Sequence, residues 1–384
     1  MILTEEQKMI QDMSRDFARQ RLWPEAGKRA EEKRFPKAEL QELAELGILG
    51  MLIPENYGGS DTGYLSYVVA MEEIAAADGA LSTILSVNSC PVSTAILNYA
   101  SEAQKNAWLP KLTSGEWIGA FALTEPDAGS DAAAIRTRAV KQADGSYVLN
   151  GTKQFITSGK YGDLALVFAV TDPDAGKRGI SCFAVRTNAV GYQVARIEDK
   201  MGQQASDTCQ LVFEEMVVPA DALVGAEGDG YKIALANLEG GRLGIAAQAV
   251  GMARAAYEQA LAYAQERKSF GKSIADHQAL AFRLADMATK IEVARQMLHH
   301  AAAMRDAGLP CKKEACMAKL YASETGEAVA REALQIFGGY GYLSEYPIER
   351  IYRDIRVCSI YEGTSDIQRI VIGREIIKEA ENAA

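Results

Sequence analysis

Hydrophobic positions change their spacing twice along this 384-residue chain, and the three resulting blocks predict helix, then sheet, then helix. Through about Ser114, apolar residues recur three and four positions apart. Met9, Ile10, Met13 and Phe17 continue from a Thr4-x-x-Gln7 capping box, and Leu40 to Leu46 and Tyr67 to Ala77 read as further helices. Pro36, the Pro54-Glu55-Asn56-Tyr57-Gly58-Gly59 loop and Pro91 punctuate this helical text. Near Gly115 the period drops to two. Asp144-Gly145 forms a hairpin turn between Val140 and Tyr147-Val148-Leu149, and Leu164 to Val170, Ile180 to Val185 and Cys209 to Phe213 are short β-branched and aromatic runs. Past Val224-Gly225 the helical period returns. Leu243, Ala247, Val250, Tyr257, Leu261 and Ala264 mark one long amphipathic helix, and Leu280, Leu284, Met287, Ile291, Ala294 and Leu298 mark a second at near-heptad spacing. The expected fold class is α+β. It comprises an N-terminal helical domain over 1–115, a small β domain over 116–225 and a C-terminal helical domain over 226–384.

Charge narrows the partners. A net charge of −10 argues against a nucleic-acid surface and against docking on anionic lipid, both of which need clustered Lys and Arg, so any phosphate site must be local. No apolar run approaches the roughly 20 residues of a membrane helix, and Met1-Ile2-Leu3-Thr4-Glu5-Glu6 carries no charged-then-apolar leader. The expectation is a cytoplasmic protein without membrane insertion. Cys90, Cys182, Cys209, Cys311, Cys316 and Cys358 are scattered without Cys-x-x-Cys pairs or neighbouring histidines, so they read as reduced core or surface thiols and no metal site is expected.

Candidate chemistry concentrates near the C-terminus. In Ile360-Tyr361-Glu362-Gly363-Thr364-Ser365-Asp366-Ile367-Gln368-Arg369, a lone carboxylate precedes a flexible glycine and two natural helix caps. Ile367, Ile370, Val371 and Ile376 then recur at helical spacing, which places Glu362 just outside a helix N-terminus. The segment alone suits an ordinary helix-start acid favoured by the macrodipole as well as it suits a catalytic base. Phe121-Ala122-Leu123-Thr124-Glu125-Pro126-Asp127-Ala128-Gly129-Ser130-Asp131 offers backbone N–H groups and hydroxyls at the mouth of the β domain. Phe155, in Gly151-Thr152-Lys153-Gln154-Phe155-Ile156-Thr157, reads by composition as core. Glu266-Arg267-Lys268-Ser269-Phe270-Gly271-Lys272, with His277-Gln278 beyond, packs donor side chains closely enough for an anion.

Taken together, Tyr361-Glu362-Gly363-Thr364-Ser365, Thr124-Glu125-Pro126 with Gly129-Ser130-Asp131, Arg267-x-x-Phe270-Gly271 and Gln335-Ile336-Phe337-Gly338-Gly339-Tyr340-Gly341 resemble the signatures of the acyl-CoA dehydrogenases, and the resemblance spans essentially the whole chain. It implies a helical domain, a β domain and a four-helix C-terminal bundle, with FAD as cofactor. Glu362 would be the base that removes the α-proton of an acyl-CoA while the β-hydrogen leaves as hydride, and its backbone N–H, with a flavin ribityl hydroxyl, would hold the thioester oxygen. Phe121, Leu123, Thr124, Phe155, Thr157, Arg267, Ser269, Phe270, Gln278, Gln335, Gly338, Gly339, Thr364 and Asp366 would contact the flavin cofactor, the Gln335 segment from across a subunit interface. Ser130, Glu239, Arg242, Tyr361 and Gly363 would contact the acyl-CoA. Many relatives carry tryptophan where Phe155 stands, and isovaleryl- and long-chain-type members place their base where this chain has Gly241, which leaves Glu362 for that role. The resemblance further implies a homotetramer and an electron-transferring flavoprotein as electron acceptor. Ser86-Val87-Asn88-Ser89 and Gly240-Gly241-Arg242-Leu243-Gly244 look most like short-chain and short-branched-chain members, and Gly241 is expected to leave room for a methyl branch. Two other readings stay open at this stage: a non-redox acyl-CoA-binding protein, and an oxidase or an unusual acyl-CoA specificity on the same fold.

Overall fold

The computed structural model describes residues 1–383. Seven helices come first: α1 (Glu5–Phe17), α2 (Trp23–Glu31), α3 (Lys37–Glu45), α4 (Gly63–Ala77), α5 (Gly79–Val87), α6 (Thr94–Tyr99) and α7 (Glu102–Thr113). Thr4 and Gln7 form the predicted capping box, and Ser101 with Gln104 forms a second one that starts α7. The residues from Gly79 to Tyr99 correct the sequence reading, because this 21-residue helical stretch is long and apolar enough to cross a membrane. It is instead core: 89% of its apolar window is buried inside the protein, and the scattered Ser, Thr, Asn and Pro side chains that masked it find internal partners, such as Asn88 Nδ2 donating to the Leu112 carbonyl.

The middle of the chain forms one eight-stranded sheet from β1 (Gly119–Ala122), β2 (Arg138–Lys141), β3 (Tyr147–Thr157), β4 (Leu164–Val170), β5 (Ile180–Arg186), β6 (Tyr192–Ile197), β7 (Thr208–Val218) and β8 (Leu223–Val224). The order is β6-β7-β3-β2-β4-β5-β8, with β1 parallel to β4. The β2–β3 hairpin turns at Asp144-Gly145, with Gly145 in the left-handed region. Short polar strands such as β6, buried only at Tyr192, escape a period-two reading because one face lies open.

The remainder is α8 (Gly230–Glu266), the β9 (Lys268–Ser269) and β10 (Lys272–Ser273) hairpin, α9 (Gln278–Asp306), α10 (Lys312–Phe337), α11 (Pro347–Ile355) and α12 (Ser365–Ala383). The long helix α8 is not amphipathic as expected. Residues 240–253 are buried without interruption, because α4, α9 and α10 all pack on it. Helix α9 keeps the one-sided stripe, with Leu284, Met287, Ile291, Ala294 and Leu298 buried. All six cysteines are free and buried, so none is a surface thiol.

Candidate active site

After α11 the chain makes a short 3₁₀ turn and then two successive left-handed residues, Glu362 (φ 52°) and Gly363 (φ 85°), before α12 begins. Glycine enters that region freely and glutamate does not, so contacts must hold the turn. Gln368 of α12, fully buried, donates from Nε2 to the Glu362 carbonyl at 3.0 Å and to the Gly363 carbonyl at 2.9 Å. Lys319 of α10, equally buried, donates from Nζ to the Gly363 carbonyl at 2.8 Å. Thr364 Oγ1 caps the helix by accepting from the Ile367 N–H at 3.3 Å. On the other side, the Tyr361 hydroxyl donates to Gln248 Oε1 of α8, lies 3.3 Å from Thr83 Oγ1 of α5, and accepts from Gln203 Nε2 at 3.4 Å. Side chains from all three parts of the chain therefore fix the residue before the carboxylate.

The carboxyl group itself is left free. Glu362 Oε2 is enclosed and has no hydrogen-bond partner. Burial raises its pKa to about 7, against the opposing pull of the Arg242 and Lys319 cations. Arg242, also buried, donates from Nη1 to Cys316 Sγ at 3.3 Å, and its Nε is unpartnered. A Cβ built on Gly241 would stand 2.8 Å from Glu362 Oε2. The space above Gly241 is thus filled by the carboxyl group, and the expected room for a methyl branch there is absent. At the preceding residue and about one turn further on, the helix is equally close-packed. A Cβ on Gly240 would meet Cys90 Sγ at 2.6 Å and the Tyr64 hydroxyl at 2.8 Å, and one on Gly244 would meet Ser86 Oγ at 2.6 Å and the Tyr67 hydroxyl at 2.8 Å. Glu239 Oε1 accepts from Arg305 Nη1 at 2.7 Å.

The β domain presents the second part of the site. Glu125, buried, accepts from Lys153 Nζ at 2.8 Å and from the N–H groups of Arg136 at 2.6 Å and Thr137 at 2.9 Å, while Lys153 also donates to the Leu123 carbonyl at 3.0 Å. Burial lowers the Lys153 pKa to about 8, against the pull of Glu125. The adjoining Gln154 N–H donates to the Thr124 carbonyl at 2.9 Å, which sews the 121–131 loop to β3. Next along β3, where its register with β7 slips between Lys153 and Ile156, Phe155 adopts φ 60°. It is 63% exposed, not core, because the bulge turns its side chain outward. Leu123 is buried, Thr124 and Thr157 are half-buried, and Ser130 is exposed on the loop. Phe121 rests against Phe168 with ring centroids 4.8 Å apart.

A third group lies at the surface. The β9–β10 hairpin carries Phe270 at φ 51° and 96% exposed. Arg267, Gly338, Gly339 and Tyr340 line a cavity of about 440 Å³, whose wall includes none of Leu123, Thr124, Phe155, Thr157 or Glu362. The Arg267 guanidinium lies 5.6 Å from the Tyr340 ring centroid, and Ser269 Oγ lies 3.4 Å from His277 Nε2. Gln278, Gln335 and Asp366 are exposed. Sequence reasoning missed Lys319, Gln368, Gln248, Lys153 and Glu125 as parts of the site. A signal existed for Lys319, which sits on the small-residue stripe of Ala315, Ala322 and Gly326, where a lysine is out of place.

These features fit FAD. A broad aromatic face held open by strained backbone beside Thr124 and Thr157 suits a planar ring system, and the exposed Arg267 and Lys268 suit a diphosphate. The enclosed, unpaired Glu362 carboxyl suits a base. Comparison with known proteins agrees. The N-terminal, middle and C-terminal domain models of acyl-CoA dehydrogenase match residues 4–116, 120–216 and 228–377. An acyl-CoA dehydrogenase of Bacillus subtilis (strain 168) is 46% identical over 377 residues, covering 98% of this chain and 99% of that one. The solved butyryl-CoA dehydrogenase of Megasphaera elsdenii superposes with a TM-score of 0.96 at 41% identity, covering 98% of this chain and 99% of that one. A chain from a structure described as "Electron transferring flavoprotein of Acidaminococcus fermentans: Towards a mechanism of flavin-based electron bifurcation" superposes with a TM-score of 0.95 at 44% identity, covering 98% of both. The chain belongs to the acyl-CoA dehydrogenase family, whose members are FAD-dependent oxidoreductases.

Proposed function

We propose that the protein dehydrogenates a short-chain acyl-CoA, of about butyryl size, to the trans-2-enoyl-CoA, with Glu362 as the base. The observation that carries this reading is the enclosed, unpartnered Glu362 Oε2 with its pKa near 7. A hydrogen on the carbon next to a thioester is only weakly acidic, so its acceptor must be a strong base in a dry site with donors ready for the charge that develops on the thioester oxygen. Glu362 accepts that proton at Oε2, and its own backbone N–H is the candidate donor to the thioester oxygen. Bound FAD supplies the acceptor for the hydride that leaves the β-carbon. Phe121, Leu123, Thr124, Phe155, Thr157, Thr364 and Asp366 would hold the flavin side. Ser130, Glu239, Arg242, Tyr361 and Gly363 would hold the acyl-CoA.

The short-chain preference draws on the phenols of Tyr64 and Tyr67 and the Cys90 thiol, which crowd the glycine face of α8 beside the carboxylate. Tyr67 and Cys90 both lie within electrostatic reach of Glu362. Arg267, Ser269, Phe270, Gln278, Gln335, Gly338 and Gly339 lie on an exposed patch apart from the Glu362 group, which favours their serving the cofactor of a neighbouring copy in a homotetramer. An electron-transferring flavoprotein is the proposed acceptor, and domain boundaries near 115 and 225 follow the change from helix to sheet and back. Six free thiols favour the reducing cytoplasm. Anaerobic bleaching of the flavin by butyryl-, isobutyryl-, 2-methylbutyryl-, hexanoyl- and octanoyl-CoA tests the assignment. Butyryl-CoA should bleach fastest, an octanoyl optimum would overturn the chain length alone, and bleaching by none would overturn the activity.

A further inference from the structure

We propose that Lys319 is a positioning residue for the base: its ammonium, bound to the Gly363 carbonyl beside Gln368, holds the Glu362–Gly363 turn left-handed and keeps the carboxylate over Gly241. The inference rests on Glu362 being the base. Lys319 occupies a position where its neighbours on the stripe of α10 are Ala315, Ala322 and Gly326, and an apolar side chain there would bury no charge. Its one hydrogen bond among the described residues goes to the backbone of the catalytic turn. It is a buried cation with no ion-pair partner among those residues, in the neighbourhood of Glu362 on the turn, Arg242 on α8, Cys316 on its own helix and Cys358 before the turn.

This placement separates two duties. The hydrogen bond goes to a carbonyl, not to the carboxylate, so Oε2 stays free to receive a proton. Burial lowers the Lys319 pKa to about 8, so below that pH its charge favours the ionised carboxylate through the low-dielectric interior, together with Arg242, while Tyr67 and Cys90 face Glu362 from α4 and from the segment after α5. Gln368 grips the Glu362 and Gly363 carbonyls without charge, so both residues anchor the turn and Lys319 alone adds a cation.

The test compares wild-type holoenzyme with Lys319→Met, Lys319→Arg and Gln368→Met, following anaerobic flavin reduction by butyryl-CoA from pH 5.5 to 9 along with flavin content and ligand affinity. Lys319→Met should keep its flavin, reduce roughly 30-fold more slowly at pH 7 and show a base pKa raised by about one unit, because a favourable cation is lost. Lys319→Arg should restore the pH profile. Gln368→Met should slow reduction roughly tenfold with the profile unmoved. Lys319→Met within twofold of wild type, or slowed with an unmoved profile that arginine does not improve, overturns the proposal. If Lys319→Met does not fold, Lys319→Gln decides, and a wild-type rate with an unmoved pH profile there overturns the proposal. Failure of wild type itself to bleach with any acyl-CoA would instead remove the base assignment on which the inference stands.

Discussion

The surroundings of Glu362 and the patch around Arg267 handle polar groups in opposite ways. At Glu362 the carbonyls of the turn are held by buried side chains, while the enclosed Glu362 Oε2 has no partner. At the patch, Phe270, Tyr342 and Leu343 are exposed, and the glycines at 338 and 339 have no atom within 4 Å of a built Cβ. The first region is closed by long-range packing, whereas the second is open surface. The difference teaches that a base and an anion-binding surface place separate demands on a chain. A base of raised pKa needs a dry, rigid setting that one polypeptide can build, while a diphosphate can be met by cations on an open surface.

Substitutions should separate these regions by size and kind of effect. The largest change is expected for Glu362→Gln, which is near-isosteric but cannot accept the proton. Flavin reduction by butyryl-CoA should fall by about 10³-fold or more with flavin and acyl-CoA binding intact, and a wild-type rate in stopped flow would sink the base assignment. Gly241→Ala should come next, because its methyl would press 2.8 Å from Oε2 and force the carboxylate aside. A loss of roughly 100-fold in reduction rate with full flavin content is expected there, whereas lost flavin would mean that the two regions are not separable. Arg267→Ala should act in the opposite sense, weakening FAD binding roughly tenfold in a titration of apoprotein while leaving the reduction rate of saturated enzyme near wild type. The smallest effect is that of pH. Since burial raises Glu362 to about 7, its carboxylate form is depleted as pH falls through 7, so reduction in the free enzyme should rise with pH to a plateau above that value. A profile flat from pH 5.5 to 9 would show that another group sets the rate.

The order of helix, sheet and helix, the capping box at Thr4, the hairpin at Asp144-Gly145 and the position of Glu362 before a helix start were all legible in the chain, because each depends on neighbours a few residues away. The same local logic misjudged Phe155, whose outward turn comes from a register slip between β3 and β7, and the stretch from Gly79 to Tyr99, whose polar side chains find partners only in the folded core. It also failed at Gly241. A glycine signals space, but what fills the space is a carboxylate more than a hundred residues further along. Residue type and spacing identified which group is the candidate base. Only the tertiary structure made it one, because burial of the turn raises its pKa against the pull of Arg242 and Lys319, while Lys319 and Gln368 hold its left-handed backbone, and those groups meet solely through long-range packing.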